Sequence, residues 1–189
     1  FNNEIGVPLT ILSSPSETEY LILEMGARGI GHIEWLCQIA NPKIGVVTCI
    51  GNAHNEFFGG LTNTINAKGE LVESLEEEGL AVLNYDDLNV RQLASRTSAE
   101  VLLYGLEGGD VVAENIVLHP DLKVNFDLNS PWGSSKVQLN VPGKHNVTNA
   151  LAAAAVAMHA GVPISTVVSG LESVEISPLR METFETTSG

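Results

Sequence analysis

Three side chains in this sequence, Glu24, His54 and Lys68, are of types that ligate hard cations or act as nucleophile and base. Lys68 is the least ordinary of them. Apolar residues recur at Ile65, Leu71, Val72 and Leu75 with helical spacing, and Thr62 is the expected N-cap. At about 100° per residue, Lys68 falls inside that apolar stripe, while Glu70, Glu73 and Glu77 are expected to face water. A lysine centred on a core-facing stripe must snorkel, find an anion or lose its charge. Burial lowers a lysine pKa, and the neutral amine that results can take up carbon dioxide to form a carbamate. A carbamate is an anionic oxygen ligand of the kind Mg²⁺ prefers. From the helix alone two readings stand: a functional inward amine, or a stem that packs while its head escapes to solvent.

The elements that must position these residues follow from the pattern. Val7 to Leu12 reads as a short strand after the polar turn Asn2-Asn3-Glu4. Tyr20 to Met25 (YLILEM) reads as a parallel strand buried on both faces. A Gly-rich turn, 26–31, leads to a helix from Ile33 to Ala40, closed by Asn41-Pro42. Ile44 to Cys49 and Leu80 to Leu83 are further buried strands on either side of the Lys68 helix. Asp86 and Asp87 start a helix to about Arg96, and Val101 to Tyr104 returns as a strand. Strand and helix alternate at the spacing of a mostly parallel α/β sheet with helices on both faces.

After Gly105, three alternating segments (Val111 to His119, Leu122 to Leu128, Lys136 to Val141) predict a small antiparallel excursion at the sheet edge. An alanine-rich helix from Asn146 to His159 stops at Gly161, and a last helix opens with Pro163 and runs to about Leu171. In an open α/β sheet, ligands bind beyond the carboxyl ends of the strands. Glu24 follows one such end and His54 another, and Lys68 lies on the helix after His54. Singly, Glu24 is equally a cap or ion-pair partner, and His54 a turn residue. Together with a buried lysine they fit a Mg²⁺ site.

Composition narrows the class. The 189 residues are 44% hydrophobic with a formal charge of −14, a globular balance with no basic cluster for nucleic acid. No apolar run reaches membrane-spanning length. Cys37, in a helical pattern, and Cys49, in a buried-strand pattern, form no disulfide framework, and the reducing cytoplasm is the expected compartment. The phosphate-binding pattern G-x-x-x-x-G-K-[ST] is absent, since Gly143-Lys144 is followed by His145. Both ends look cut, and a piece of a longer enzyme is expected.

The segments FNNEIGVPLT, LEMGARGIGHI, GNAHNEFFGG, AKGE, LNYDD, GKHNVTNALAA and LRMETF occur in this order. They resemble the central ATPase domain of the Mur ligases, over essentially the whole chain. Several are shared with folylpolyglutamate synthetase. NNEIGVPLT most resembles the branch that adds D-Ala-D-Ala to UDP-MurNAc-tripeptide in peptidoglycan synthesis, the chemistry of cell-wall biogenesis, cell shape and division.

The resemblance implies a P-loop-NTPase-like central domain over 1–176, with 177–189 starting the connection to a C-terminal domain. The P-loop, the first strand and an N-terminal UDP-sugar domain would lie upstream. It implies an ATP-dependent amide-forming ligase working through an acyl-phosphate with two Mg²⁺ ions. Glu24 would bind the Mg²⁺ bridging the ATP phosphates. His54 and a carbamate on Lys68 would serve the second. His145, Asn146 and Asn149 would approach adenine and ribose, Arg180 the phosphates and hinge, and Asn2 and Asn3 the peptide substrate. Asn146 alone could simply cap its helix, and Arg180 alone is a linker charge. Two positions depart from the family pattern: GHI replaces Gly-Glu-Ile, and Asn55 stands where leucine is usual. The chain by itself is expected to be inactive. The rival expectations are a non-catalytic interaction module with a vestigial metal site, and a carbamyl-lysine hydrolase. The hydrolase is disfavoured because no H-x-H pair is present.

Overall fold

The computed structural model describes residues 2–51 and 60–174, so His54, Asn55 and Arg180 lie outside the described residues. The chain divides into two compact units, Phe1–Leu103 and Tyr104–Gly189. The first contains α1 (Gly6–Ser13), α2 (His32–Ala40), β1 (Ile44–Val47), α3 (Leu61–Glu73), β2 (Leu80–Asn84) and α4 (Leu88–Arg91). A 3₁₀ turn over Gln92–Arg96 and β3 (Glu100–Gly105) follow. β1 and β2 pair in parallel, with Ile44 opposite Leu80 and Val47 opposite Leu83. Every residue of β2 is buried, as its unbroken apolar run requires of a strand covered on both faces. Val47, Ile50, Val72, Leu75, Leu83, Val90 and Leu93 belong to the core between them. Gly45 lets α3 lie close to β1, because a Cβ there would meet Leu71 and Leu75 at 3.1 and 3.3 Å.

In the second unit, Tyr104 and Gly105 at the end of β3 pair in parallel with Val111 and Val112 of β4 (Val111–Leu118). β5 (Val124–Ser130) and β6 (Gly133–Leu139) extend the sheet antiparallel. The strand order is β1-β2-β3-β4-β5-β6, a mixed α/β sheet with the predicted antiparallel excursion at its trailing edge. α5 (His145–His159) buries Val147, Ala150, Leu151, Ala154, Ala155 and Met158 and packs on β4 and β5. Small alanines suit such close helix–sheet contact. α6 (Ile164–Glu172) covers β6.

Several local expectations are overturned. Val7 to Leu12 is helix α1, not a strand. The Asn3 side chain accepts from the Ile5 and Gly6 amides at 3.2 and 2.8 Å, so the polar turn is in fact a helix cap, which outweighs the β-branched residues after it. Tyr20 to Met25 makes no strand pairing, and Tyr20 and Ile22 are 71% and 93% exposed. An apolar run becomes a buried strand only when neighbours flank it, and among the described residues none pairs with it. Thr62 is not the N-cap, because α3 starts one residue earlier behind Gly60. Cys49 lies past the end of β1 and is exposed.

Glu70 does not face water. It is 7% exposed, and its carboxylate accepts from the Gly31, Ile33 and Glu34 amides at 2.5, 3.1 and 3.0 Å. The N-cap of α2 is Gly31, which has no side chain of its own to satisfy those amides.

Candidate functional site

Lys68 sits midway along α3, on the side turned to the end of β1. Its stem is half-buried, and its Nζ donates to the Cys49 carbonyl at 2.6 Å. The amine therefore reaches the carboxyl end of a parallel strand, where ligands of open sheets collect. The hydrogen bond to Cys49 is exposed, and Lys68 is not among the buried residues of α3.

The backbone that Lys68 touches is held from three further points. Asn84, buried at the end of β2, donates from Nδ2 to the Thr48 carbonyl at 2.8 Å. Asp87 accepts from the Ile50 amide at 2.7 Å while capping α4 through the Asn89 and Val90 amides. Asn89 donates from Nδ2 to the Ile50 carbonyl at 3.4 Å. Four side chains thus bond to the backbone of residues 48–50, which precede His54 in the chain, outside the described residues. The sequence places Asp87 at the start of a helix, which it caps, but gives neither Asn84 nor Asp87 a role towards residues 48–50. The signal was present: amides and carboxylates at a strand end can serve backbone groups of the neighbouring strand.

Arg96, read from sequence only as a helix end, has further contacts. Its guanidinium lies over Gly69, bonded to Glu73 Oε1 at 2.6 Å, the Ile65 carbonyl at 3.4 Å and Asn66 Oδ1 at 3.3 Å. A Cβ on Gly69 would sit 2.5 Å from Nη1, so only glycine admits that arginine.

Glu24 and Asn2 are brought together, Asn2 Nδ2 donating to Glu24 Oε1 at 2.9 Å. The Gly26 amide donates to the Asn2 carbonyl at 2.7 Å, and a Cβ at Gly26 would press on the Asn2 amide at 3.1 Å. Glu24 is exposed, and among the described residues no hydrogen bond reaches its second oxygen. A hard carboxylate oxygen fits Mg²⁺. No hydrogen bond or ion pair joins Glu24 to Lys68, and among the described residues no three His, Cys, Asp or Glu side chains converge as metal ligands. Asn3 is occupied in the α1 cap.

In the second unit, Asn149 donates from Nδ2 to Asn146 Oδ1 at 3.3 Å, and Asn146 donates to the Pro142 carbonyl at 2.8 Å. The two amides share one helix face, as their spacing requires. Gly143, at φ +97°, lets the exposed His145 ring fold back over it, 2.7 Å from where a Cβ would stand. His145, Asn146 and Asn149 therefore form one polar rim at the start of α5.

The family described as Mur ligase middle domain matches residues 1–157. The chain belongs to the Mur ligase family. It is 40% identical over 184 residues to the UDP-N-acetylmuramoyl-tripeptide–D-alanyl-D-alanine ligase of Mycobacterium bovis, covering 96% of this chain and 36% of that one. To the Escherichia coli ligase of the same name it is 35% identical over 183 residues, covering 95% and 40%. Among solved structures, MurF from Acinetobacter baumannii superposes with a TM-score of 0.92 at 34% identity, over 98% of this chain and 41% of that one. MurF from Thermotoga maritima in complex with ADP superposes with a TM-score of 0.86 at 29% identity, over 99% and 43%. This Mur ligase chain thus spans about two fifths of the length of these relatives. Among the described residues no helix is long and apolar enough to cross a membrane.

Proposed function

We propose that this chain is the central domain of a ligase that joins D-Ala-D-Ala to UDP-MurNAc-tripeptide at the expense of ATP, in the cytoplasm. The observation that carries the reading is the position of the Lys68 amine, its Nζ on the Cys49 carbonyl past the carboxyl end of β1. The two curated relatives bear the name of this activity, and one structural relative is described with ADP.

In the first half-reaction the terminal carboxylate of the tripeptide attacks the γ-phosphorus of ATP, and ADP leaves. In the second, the amine of D-Ala-D-Ala attacks the acyl carbon, phosphate leaves, and the amine gives up its proton as the amide forms. Glu24, His54 and a carbamate on Lys68 would hold two Mg²⁺ ions. Magnesium supplies neutralisation of the phosphate oxygens when bound. Two features of Lys68 support this role. Its head is directed to the strand end, and carbamylation leaves one N–H on Nζ that can still donate to the Cys49 carbonyl. Asn2 orients Glu24 by donating to one oxygen. Asn84 and Asp87 keep the 48–50 backbone where Lys68 can reach it. His145, Asn146 and Asn149 would contact adenine and ribose, Arg180 the phosphates, and Asn2 and Asn3 the peptide.

The test is ADP release by the ligase containing this chain, with and without each acceptor. Release beyond a single turnover should require both UDP-MurNAc-tripeptide and D-Ala-D-Ala, and Lys68→Ala and Glu24→Ala should each lower kcat by about 100-fold or more. Undiminished turnover in either variant would remove the proposal's footing.

A further inference from the structure

We propose that Glu70 is a positioning residue for this site, fixing the helix that carries Lys68 against the segment that carries Glu24. The inference rests on the reading of Glu24 and Lys68 given above.

Lys68 and Glu70 are two residues apart on α3, and at about 100° per residue they leave the helix on opposite sides. Lys68 reaches the end of β1, and Glu70 reaches the start of α2. α3 is therefore held at two points, one on each flank, both within a turn of its midpoint. Both oxygens of Glu70 are used, Oε1 by the Gly31 amide and Oε2 by the Ile33 and Glu34 amides. Each is a charge-assisted bond inside the protein, at the positive end of a helix.

The far side of that clamp leads to Glu24. Residues 26–31 are the turn joining the Glu24 segment to α2, so the clamp closes the end of that turn. Cys37 of α2 lies against the residue after Glu24, with its Sγ 3.9 Å from Met25 Sδ. The Gly26 amide, next in line, is bonded to Asn2, the partner of Glu24. A shift of α2 relative to α3 would thus move the Glu24 carboxylate relative to the Lys68 amine. Small misplacements of groups that must act together cost rate steeply.

Glu70→Gln tests this. Glutamine preserves size, but its NH₂ cannot accept, so either the Gly31 amide or the Ile33–Glu34 pair loses its partner. In this chain, hydrogen exchange at those amides should quicken about tenfold or more. In the ligase containing it, assayed well below the melting transition, kcat should fall about tenfold or more. KM for ATP and D-Ala-D-Ala should stay within about threefold, and half-maximal rate should need more Mg²⁺. Lost protection with kcat within about twofold of the parent would overturn the proposal, leaving Glu70 a stability residue only. Unchanged protection would overturn it too, because the clamp would not exist in solution. Should Glu70→Gln not fold, Glu70→Asp keeps the charge with a shorter reach, and a folded Asp variant with lost protection and parental kcat is equally fatal. Failure of the functional reading is distinct: Lys68→Ala and Glu24→Ala would then remain active, whatever Glu70 does.

Discussion

The strand ends after β1 and β2 and the outer face of the β4–β5 ribbon both carry amides and carboxylates, but they spend them differently. At the strand ends, Asn84, Asp87, Asn89 and Lys68 all bond to main-chain atoms of residues 48–50. On the ribbon, Asn115 pairs with Asp127 and Asn129 with Glu114, side chain to side chain and exposed. Bonds of the first kind hold a backbone in place, and losing one leaves a half-buried polar group unsatisfied at about 1–3 kcal/mol. Bonds of the second kind are replaced by water at little cost. The comparison separates polar side chains that hold neighbouring backbone in place from those that only pair with one another at the surface.

The contrast is broken or sharpened most strongly at Asp87. Asp87→Ala removes the α4 cap and orphans the Ile50 amide, and should cost about 3 kcal/mol in urea unfolding of this chain. A loss below about 1 kcal/mol would mean that residues 48–50 are not held as described. In the second unit the sensitive position is conformational instead. Gly143→Ala puts a side chain at φ +97° against the His145 ring and should cost about 1–2 kcal/mol. Crystals of that variant should show the ring displaced, and an undisturbed ring with full stability would contradict the packing. Smaller still is Glu114→Ala on the ribbon, which should change stability by less than about 0.5 kcal/mol. A cost comparable to that of Asp87→Ala would erase the distinction between the two regions.

What was legible in the sequence follows the same division. The antiparallel segments, the alanine-rich α5 and the buried β2 were readable because alternation, helix period and unbroken apolar runs are local signals. Lys68 was readable too, as a charge in the wrong place on a stripe. Glu70 was misread by the same helical wheel, because a wheel knows one helix and not the uncapped start of another 36 residues upstream. Tyr20 to Met25 failed for a related reason: the run records suitability for burial, while pairing depends on what lies beside it. Val7 to Leu12 failed because the capping asparagine in the preceding polar turn outweighs β-branched content. Asn84 and Asp87 stand in a motif that was noticed, but their bonds span more than thirty residues of sequence, and no spacing rule reports those.

A change of slope with pH, not of stability at one pH, tests the α2 side of the clamp through Cys37. Burial raises the pKa of this thiol; a hydrogen bond with Ser74 draws it part of the way back, and the Glu70 and Glu34 carboxylates push it up further. The folded chain therefore holds the proton more tightly than the unfolded chain does. By linkage, the stability from this group is complete below the ordinary thiol value of 9.0 and is lost as pH rises beyond it. The slope it adds cannot exceed about 1.4 kcal/mol per pH unit. Cys37→Ala lowers stability at neutral pH by opening a cavity, but its stability should fall less steeply above pH 9.0 than the parent's. Lysines and tyrosines titrate in both proteins and cancel in the comparison. Parallel slopes would mean that the thiol is not enclosed between Met25, Ser74 and the two carboxylates, and α2 would then not be seated where Glu70 has to find it.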